Sequence, residues 1–183
     1  MGLDMYLYLR RSCHYTNIGA TIMGVPAELQ EMVSVMTPGI PLENIRVPST
    51  IEQRYRIGYW RKAYPIHNFF VDKLGGDEER CLDYAEVEIE DLEELRDICY
   101  DILHEDRTEH NAASDFLPDD SDEYGTAYYQ MIQYTYGLLV QLIPYYHQCN
   151  EEDRRENEKI TEEVRKAETA GSRYTGILYS ASW

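Results

Sequence analysis

Three groups of residues in this sequence have the types and spacing to do chemistry. The first is a row of carboxylates, Glu90, Glu94, Asp97, Asp101 and Glu105, set 4, 3, 4 and 4 residues apart. That spacing keeps them on one face of a helix, about 5.4 Å apart along its axis. Asp91, Glu93 and Asp106 flank the row. Like charges so placed weaken a helix by about 0.2–0.5 kcal/mol per pair. The row is therefore either a solvated face that keeps the chain soluble or an element retained because a basic groove binds it. A regular line of carboxylates can also imitate nucleic-acid phosphates.

The second group is the stretch YRIGYWRKAYPIHNFF, residues 55–70, the most basic and most aromatic part of the chain. Its apolar positions fit a strand followed by a helix, both packing on a core. Arg56, Arg61 and Lys62 fall near the junction, where they can ion-pair with the acidic helix that follows. The alternative is a phosphate or carboxylate site at the helix start, favoured by the helix dipole. Arg54, Arg56 and Arg61 are the secondary candidates for binding a partner. His67 falls on the apolar side of the helix and reads as a core histidine more readily than as a ligand.

The third group is the histidines and cysteines. His104, Asp106 and His110, with Asp101, could hold a metal where a helix runs into a loop, but their spacing is not diagnostic. Cys13 and His14 are adjacent, and adjacency does not supply nucleophile–base geometry. The sequence contains no G-x-S-x-G elbow, P-loop, G-x-G-x-x-G fingerprint or H-E-x-x-H pair. DFLPDDSDEYG resembles an EF-hand loop only in being acidic, because it lacks the required Gly and Glu. The expectation is no catalytic residue, no metal and no cofactor. The competing reading is a metal-dependent hydrolase or other small cytosolic enzyme using His67 or the His104 to His110 region.

Charge narrows the partners. The net formal charge is −17 over 183 residues. Residues 1–76 carry 8 Lys/Arg and 6 Asp/Glu, whereas residues 83–125 carry 17 Asp/Glu against Arg96 and Arg107. Such a field repels nucleic-acid phosphates and anionic membrane surfaces, and it attracts a basic partner or a divalent metal. No stretch approaches the roughly 18 consecutive apolar residues of a membrane span. Four widely spaced cysteines without a CxxC pair read as reduced thiols in a cytosolic protein.

A chain of 183 residues predicts one domain with a sizeable core. Two-residue alternation predicts strands near 3–9, 54–59, 84–89 and 174–181. In the first, Leu3, Met5, Leu7 and Leu9 share one face. Helical spacing predicts helices near 61–74, 90–106, 126–143 and 151–168, with a short one at 26–36. Trp60, Ile66, His67 and Phe70 fall on one side of the first of these. Leu92, Leu95, Ile98, Cys99, Ile102 and Leu103 form the stripe of the second. Pro144 is expected to end or kink the third. Residues 107–125 read as an acidic loop. The fold class is α+β, a small mixed or antiparallel sheet of about four strands with about four packed helices.

The opening MGLDMYLY, the central IGYWRKAYPIHNFF and the final YSASW together resemble a family of small proteins found in bacteriophages and gut bacteria. The resemblance spans most of the chain. It implies an anti-CRISPR role, inhibition of Cas9 without catalysis, in the cytoplasm of a bacterial host. The implied partner is a basic nucleic-acid-binding nuclease, with or without guide RNA, and not nucleic acid itself. On that reading Glu90, Asp91, Glu94, Asp97, Asp101, Glu105 and Asp106 are the binding residues.

Overall fold

The computed structural model describes residues 2–15, 27–46, 50–75, 82–104, 121–163 and 171–182. Its elements run β1 (Asp4–Tyr15), α1 (Ala27–Met36), a short 3-10 turn (Leu42–Asn44), β2 (Thr50–Arg61), α2 (Tyr64–Lys73), β3 (Ala85–Val87), α3 (Ile89–His104), α4 (Ser121–Glu163) and β4 (Gly171–Ser182). The four strands form one antiparallel sheet in the order β2-β1-β4-β3. In it Ala85, Glu86 and Val87 lie opposite Tyr179, Leu178 and Ile177. The α+β class read from periodicity is the class observed.

By contact the chain falls into two compact units. One comprises Met1–Arg10, Arg54–Gln148 and Gly176–Trp183, and the other Arg11–Gln53 and Cys149–Thr175. The first holds the main core. Leu3, Met5, Leu7 and Leu9 of the β1 segment are buried in alternation, together with Trp60, Val87, Ile177 and Tyr179 from the other strands. Helices cover that face of the sheet. They contribute Ile66 and Phe70 of α2, Leu92, Leu95, Cys99 and Ile102 of α3, and Ile132, Leu139, Leu142 and Ile143 of α4. Each set follows the 3.6-residue period of an amphipathic helix.

Two polar contacts are built into this core. The Trp60 indole N–H donates to Thr135 Oγ1 at 2.9 Å, and the Thr135 hydroxyl donates to the Met131 carbonyl at 2.9 Å. A buried indole needs such an acceptor, and a helical threonine can supply it while bonding its own preceding turn. His67 Nδ1 lies 2.8 Å from the Tyr179 hydroxyl, and the Tyr179 ring stacks on Phe70 at 4.2 Å.

Several boundaries differ from the sequence reading. β1 and β2 are 12 residues each, longer than the predicted 3–9 and 54–59. Trp60 belongs to β2, not to the start of a helix. Lys62 takes a left-handed backbone at φ 55°, its N–H bonds the Leu3 carbonyl, and α2 starts only at Tyr64 with Pro65 in its first turn. β3 is three residues rather than the predicted six.

The largest correction is α4. The helices expected at 126–143 and 151–168 are one helix of 43 residues with Pro144 inside it. Proline there removes one bond to the carbonyl four residues back. Pro144 and Val140 are both exposed, so water can take the released carbonyl. Residues 121–125, expected in a loop, open the same helix. Residues 107–120 and 164–168 lie outside the described residues.

Polar contacts join described residues of the second unit. Asp153 of α4, 4% exposed, accepts from Arg11 of β1 at 2.8 Å and from the Thr175 hydroxyl at 2.6 Å. Asn157 bonds both backbone groups of Arg173, at 2.9 and 2.8 Å. Among the described side chains of α1, Val33 is the buried apolar one.

Candidate interaction surfaces

The carboxylate row lies where its spacing requires. Leu92, Leu95, Cys99 and Ile102 anchor α3 in the core. This turns Glu90, Glu94, Asp97 and Asp101 outward, and all four are exposed. Glu105 and Asp106 lie outside the described residues. Asp91 is half-buried and faces Lys73 of α2.

Lys73 is the cation that balances this helix. Its ammonium sits 2.5 Å from Glu94 and 3.7 Å from Asp91. The hydrogen bond to Glu94 raises the Lys73 pKa above its ordinary value, aided by the charges of Glu94 and Asp91. Of the expected partners, Arg56 and Arg61 are engaged elsewhere. Arg61 lies 3.9 Å from Asp4, and Arg56 stands over the Tyr6 ring at 5.8 Å. The signal for Lys73 is its place in the last turn of α2, where a cation suits the helix end. Further along α3, Arg96 bonds Asp97, and Glu93 lies 3.5 Å from His147.

The other face of the sheet, within the same unit, carries a different surface. Asp4, Tyr6, Tyr8 and Arg10 alternate with the buried β1 residues. On β2 the alternation slips by one residue. Ile57 packs against the core, and the next residue, Gly58, also faces it, since a Cβ added there would meet Leu7 and Leu138. Two successive inward residues are the mark of a β-bulge. The slip puts Arg54 and Arg56 on the same side as Tyr59, opposite the helices.

The result is a continuous tyrosine layer. Ring centroids are 5.3 Å apart for Tyr59 and Tyr6, 6.2 Å for Tyr6 and Tyr8, and 5.2 Å for Tyr8 and Tyr84. Arg54 stands over Tyr84 at 4.2 Å. Tyr84 reaches this layer from a left-handed backbone, φ 54°, a conformation uncommon for a bulky residue. The Tyr59 hydroxyl donates to Asp4 at 2.8 Å, which raises its pKa. Arg10 pairs with Glu86 at 2.7 Å across β4, over Leu178, which is 2% exposed. Arg54, Arg56 and Arg61 were legible as candidates in the sequence. Their tyrosine setting was not, because it depends on strand order and on the bulge.

The remaining candidates are structural in their contacts. His67 is buried against Tyr179. His104 is exposed, stacks on Tyr100 at 4.0 Å and bonds the Tyr100 carbonyl. His110 lies outside the described residues. No group of three His, Cys, Asp or Glu that could hold a metal occurs among the described residues. Cys13, Cys99 and Cys149 are free thiols, and burial pushes Cys99 up to about 12. In the second unit, Asn150, Asp153, Arg154, Asn157 and Arg173 line an open polar cleft of about 390 Å³. No described helix is long and apolar enough to cross a membrane.

Comparison with protein-family models, with curated proteins and with solved structures yields no match.

Proposed function

We propose that this protein is a non-enzymatic inhibitor of the anti-CRISPR kind. It docks the outward face of α3 on a basic nucleic-acid-binding region of an RNA-guided nuclease such as Cas9, in the cytoplasm of a bacterial host, and competes with nucleic acid there. The observation that carries this reading is the exposure of Glu90, Glu94, Asp97 and Asp101 along one face of a helix whose opposite face is fixed in the core. A rigid row of charge loses little freedom on binding, and complementary fields speed association and select partners more than they add raw affinity. The resemblance of the opening, central and final segments points the same way.

The test is a pull-down with purified Cas9, alone and loaded with guide RNA, followed by binding kinetics across a salt series. Exposed charges are screened over about 8 Å at physiological ionic strength, so rising salt slows association. The informative variant is Glu90→Lys/Asp97→Lys/Asp101→Lys. It leaves Glu94 in place to hold Lys73, and it melts within a few degrees of wild type. Loss of binding and inhibition supports the reading. Normal binding by this variant would reduce α3 to a solvated face.

A further inference from the structure

We propose that the open face of the sheet is a binding platform for single-stranded nucleic acid, with Tyr59, Tyr6, Tyr8 and Tyr84 as base-stacking rings and Arg54 and Arg56 as backbone contacts. This inference does not depend on the reading of α3.

The first ground is composition. Among the described residues of this face, every exposed large side chain of hydrophobic character is a tyrosine, and no exposed aliphatic residue lies there. Leu178, the large aliphatic on this side of β4, is covered. Tyrosine and arginine are enriched at protein interfaces as well; what favours unpaired bases here is the absence of an exposed aliphatic residue among the rings. Aromatic rings on an antiparallel sheet, interleaved with arginine, are the means by which unpaired bases are held, because every base has a π-face.

Spacing is the second ground. Successive centroids step 5.3, 6.2 and 5.2 Å from β2 along β1 and across β4 to Tyr84, which precedes β3. A line of rings at that interval accommodates successive unstacked bases and gives no purchase on a duplex, whose bases are already stacked.

The third ground is local charge. Arg10 and Arg61 stand on this face beside Glu86 and Asp4, and Arg54 and Arg56 stand over the Tyr84 and Tyr6 rings. The carboxylates of α3 lie on the far side of the sheet. A helix packs about 8–10 Å from its neighbour in the core and is itself about 10 Å wide. Its outward charges therefore lie beyond the roughly 8 Å screening length from the opposite side of the sheet. The left-handed backbone of Tyr84 adds to the case, since conformations of that kind concentrate at binding sites.

The experiment uses the full chain alone, with fluorescently labelled 12-nucleotide single-stranded RNA and DNA and a 12-base-pair duplex, read by anisotropy at several salt concentrations. The expected result is single-strand binding that exceeds duplex binding. Tyr59→Ala weakens it about tenfold or more. Arg54→Ala/Arg56→Ala lowers the slope of log affinity against log salt by about 1.4, roughly 0.7 per phosphate contact. All three positions are exposed, and circular dichroism checks that each variant is folded. Glu90→Lys/Asp97→Lys/Asp101→Lys does not weaken oligonucleotide binding, which separates this proposal from the fate of the α3 reading. Absence of single-strand binding at low salt, equal binding of duplex, or unchanged binding by both sheet-face variants would each overturn it. So would loss of nuclease capture in Arg54→Ala/Arg56→Ala without any oligonucleotide binding, which would make the face a protein interface.

Discussion

The two faces of the sheet in the first unit are built from the same chain segments and use tyrosine in opposite ways. On the closed face, Tyr179 is buried, stacked on Phe70 and hydrogen-bonded to His67, and burial pushes its hydroxyl pKa up. On the open face, Tyr59 and Tyr84 keep about two-fifths of their surface in water, 43% and 39%. One residue type serves as packing material on one side and as available ring surface on the other. Strand alternation makes the assignment, and the bulge at Ile57–Gly58 corrects it where two arginines would otherwise point inward. Residue type alone therefore does not separate a core from a site, whereas position relative to the pleat does.

If the closed face is the structural one, its substitutions should dominate stability. Trp60→Ala removes a large buried ring and leaves Thr135 without its donor, so it should cost about 3–5 kcal/mol in denaturant unfolding. A loss under 1 kcal/mol would break the distinction between the faces. Gly58→Ala sharpens it. The added Cβ would meet Leu138 Cδ2 at 2.8 Å and Leu7 Cβ at 3.2 Å. Crowding of this kind typically costs about 1–3 kcal/mol. Neutral behaviour would mean that the bulge tolerates a side chain on its core side.

Thiol chemistry probes the same division with a smaller effect. Peptide mapping after alkylation at neutral pH should find Cys13 modified and Cys99 and Cys149 protected, since among the cysteines of the described residues only Cys13 is partly exposed. Cys99 also sets a direction in pH. Its thiol is pushed from 9.0 to about 12 in the folded protein. The unfolded chain therefore releases that proton first, and stability should fall as pH rises from about 9 toward 12. A thermal midpoint flat across that window would show that Cys99 is not shielded. Smallest of all should be Tyr59→Phe on the open face. It removes an exposed hydrogen bond to Asp4 and should stay within about 0.5 kcal/mol of wild type.

Much of this arrangement could be read from residues. The alternation of Leu3, Met5, Leu7 and Leu9, and the stripe from Leu92 to Ile102, each follow a period that only one element type satisfies, so faces and class were legible. Junctions were not. Trp60 suited both the end of a strand and the start of a helical face, and only the turn at Lys62 decides between them. Pro144 signals a helix end whenever the released carbonyl is buried, and here the exposed side of α4 removes that penalty. The row on α3 was legible because a helix is a local structure. The tyrosine layer was not, because Tyr8 and Tyr84 meet through strand order, which no local period encodes. The cation for α3 was misassigned for the same reason, since Lys73 reaches Asp91 and Glu94 by packing rather than by proximity in the chain.

The Arg10–Glu86 pair has a mechanical consequence. β3 contributes three residues to the sheet, and the Ala181 N–H donating to the Leu82 carbonyl at 2.7 Å adds one bond to its ladder. The guanidinium passes over β4 and grips β3 from the strand beyond, like a strap buckled across the one between. An edge tethered by an ion pair is fastened in proportion to how little that pair is screened. Hydrogen exchange of the β3 amides should therefore quicken as salt rises, while the amides of β1 beneath the core stay still, making this edge of the sheet a gauge of ionic strength.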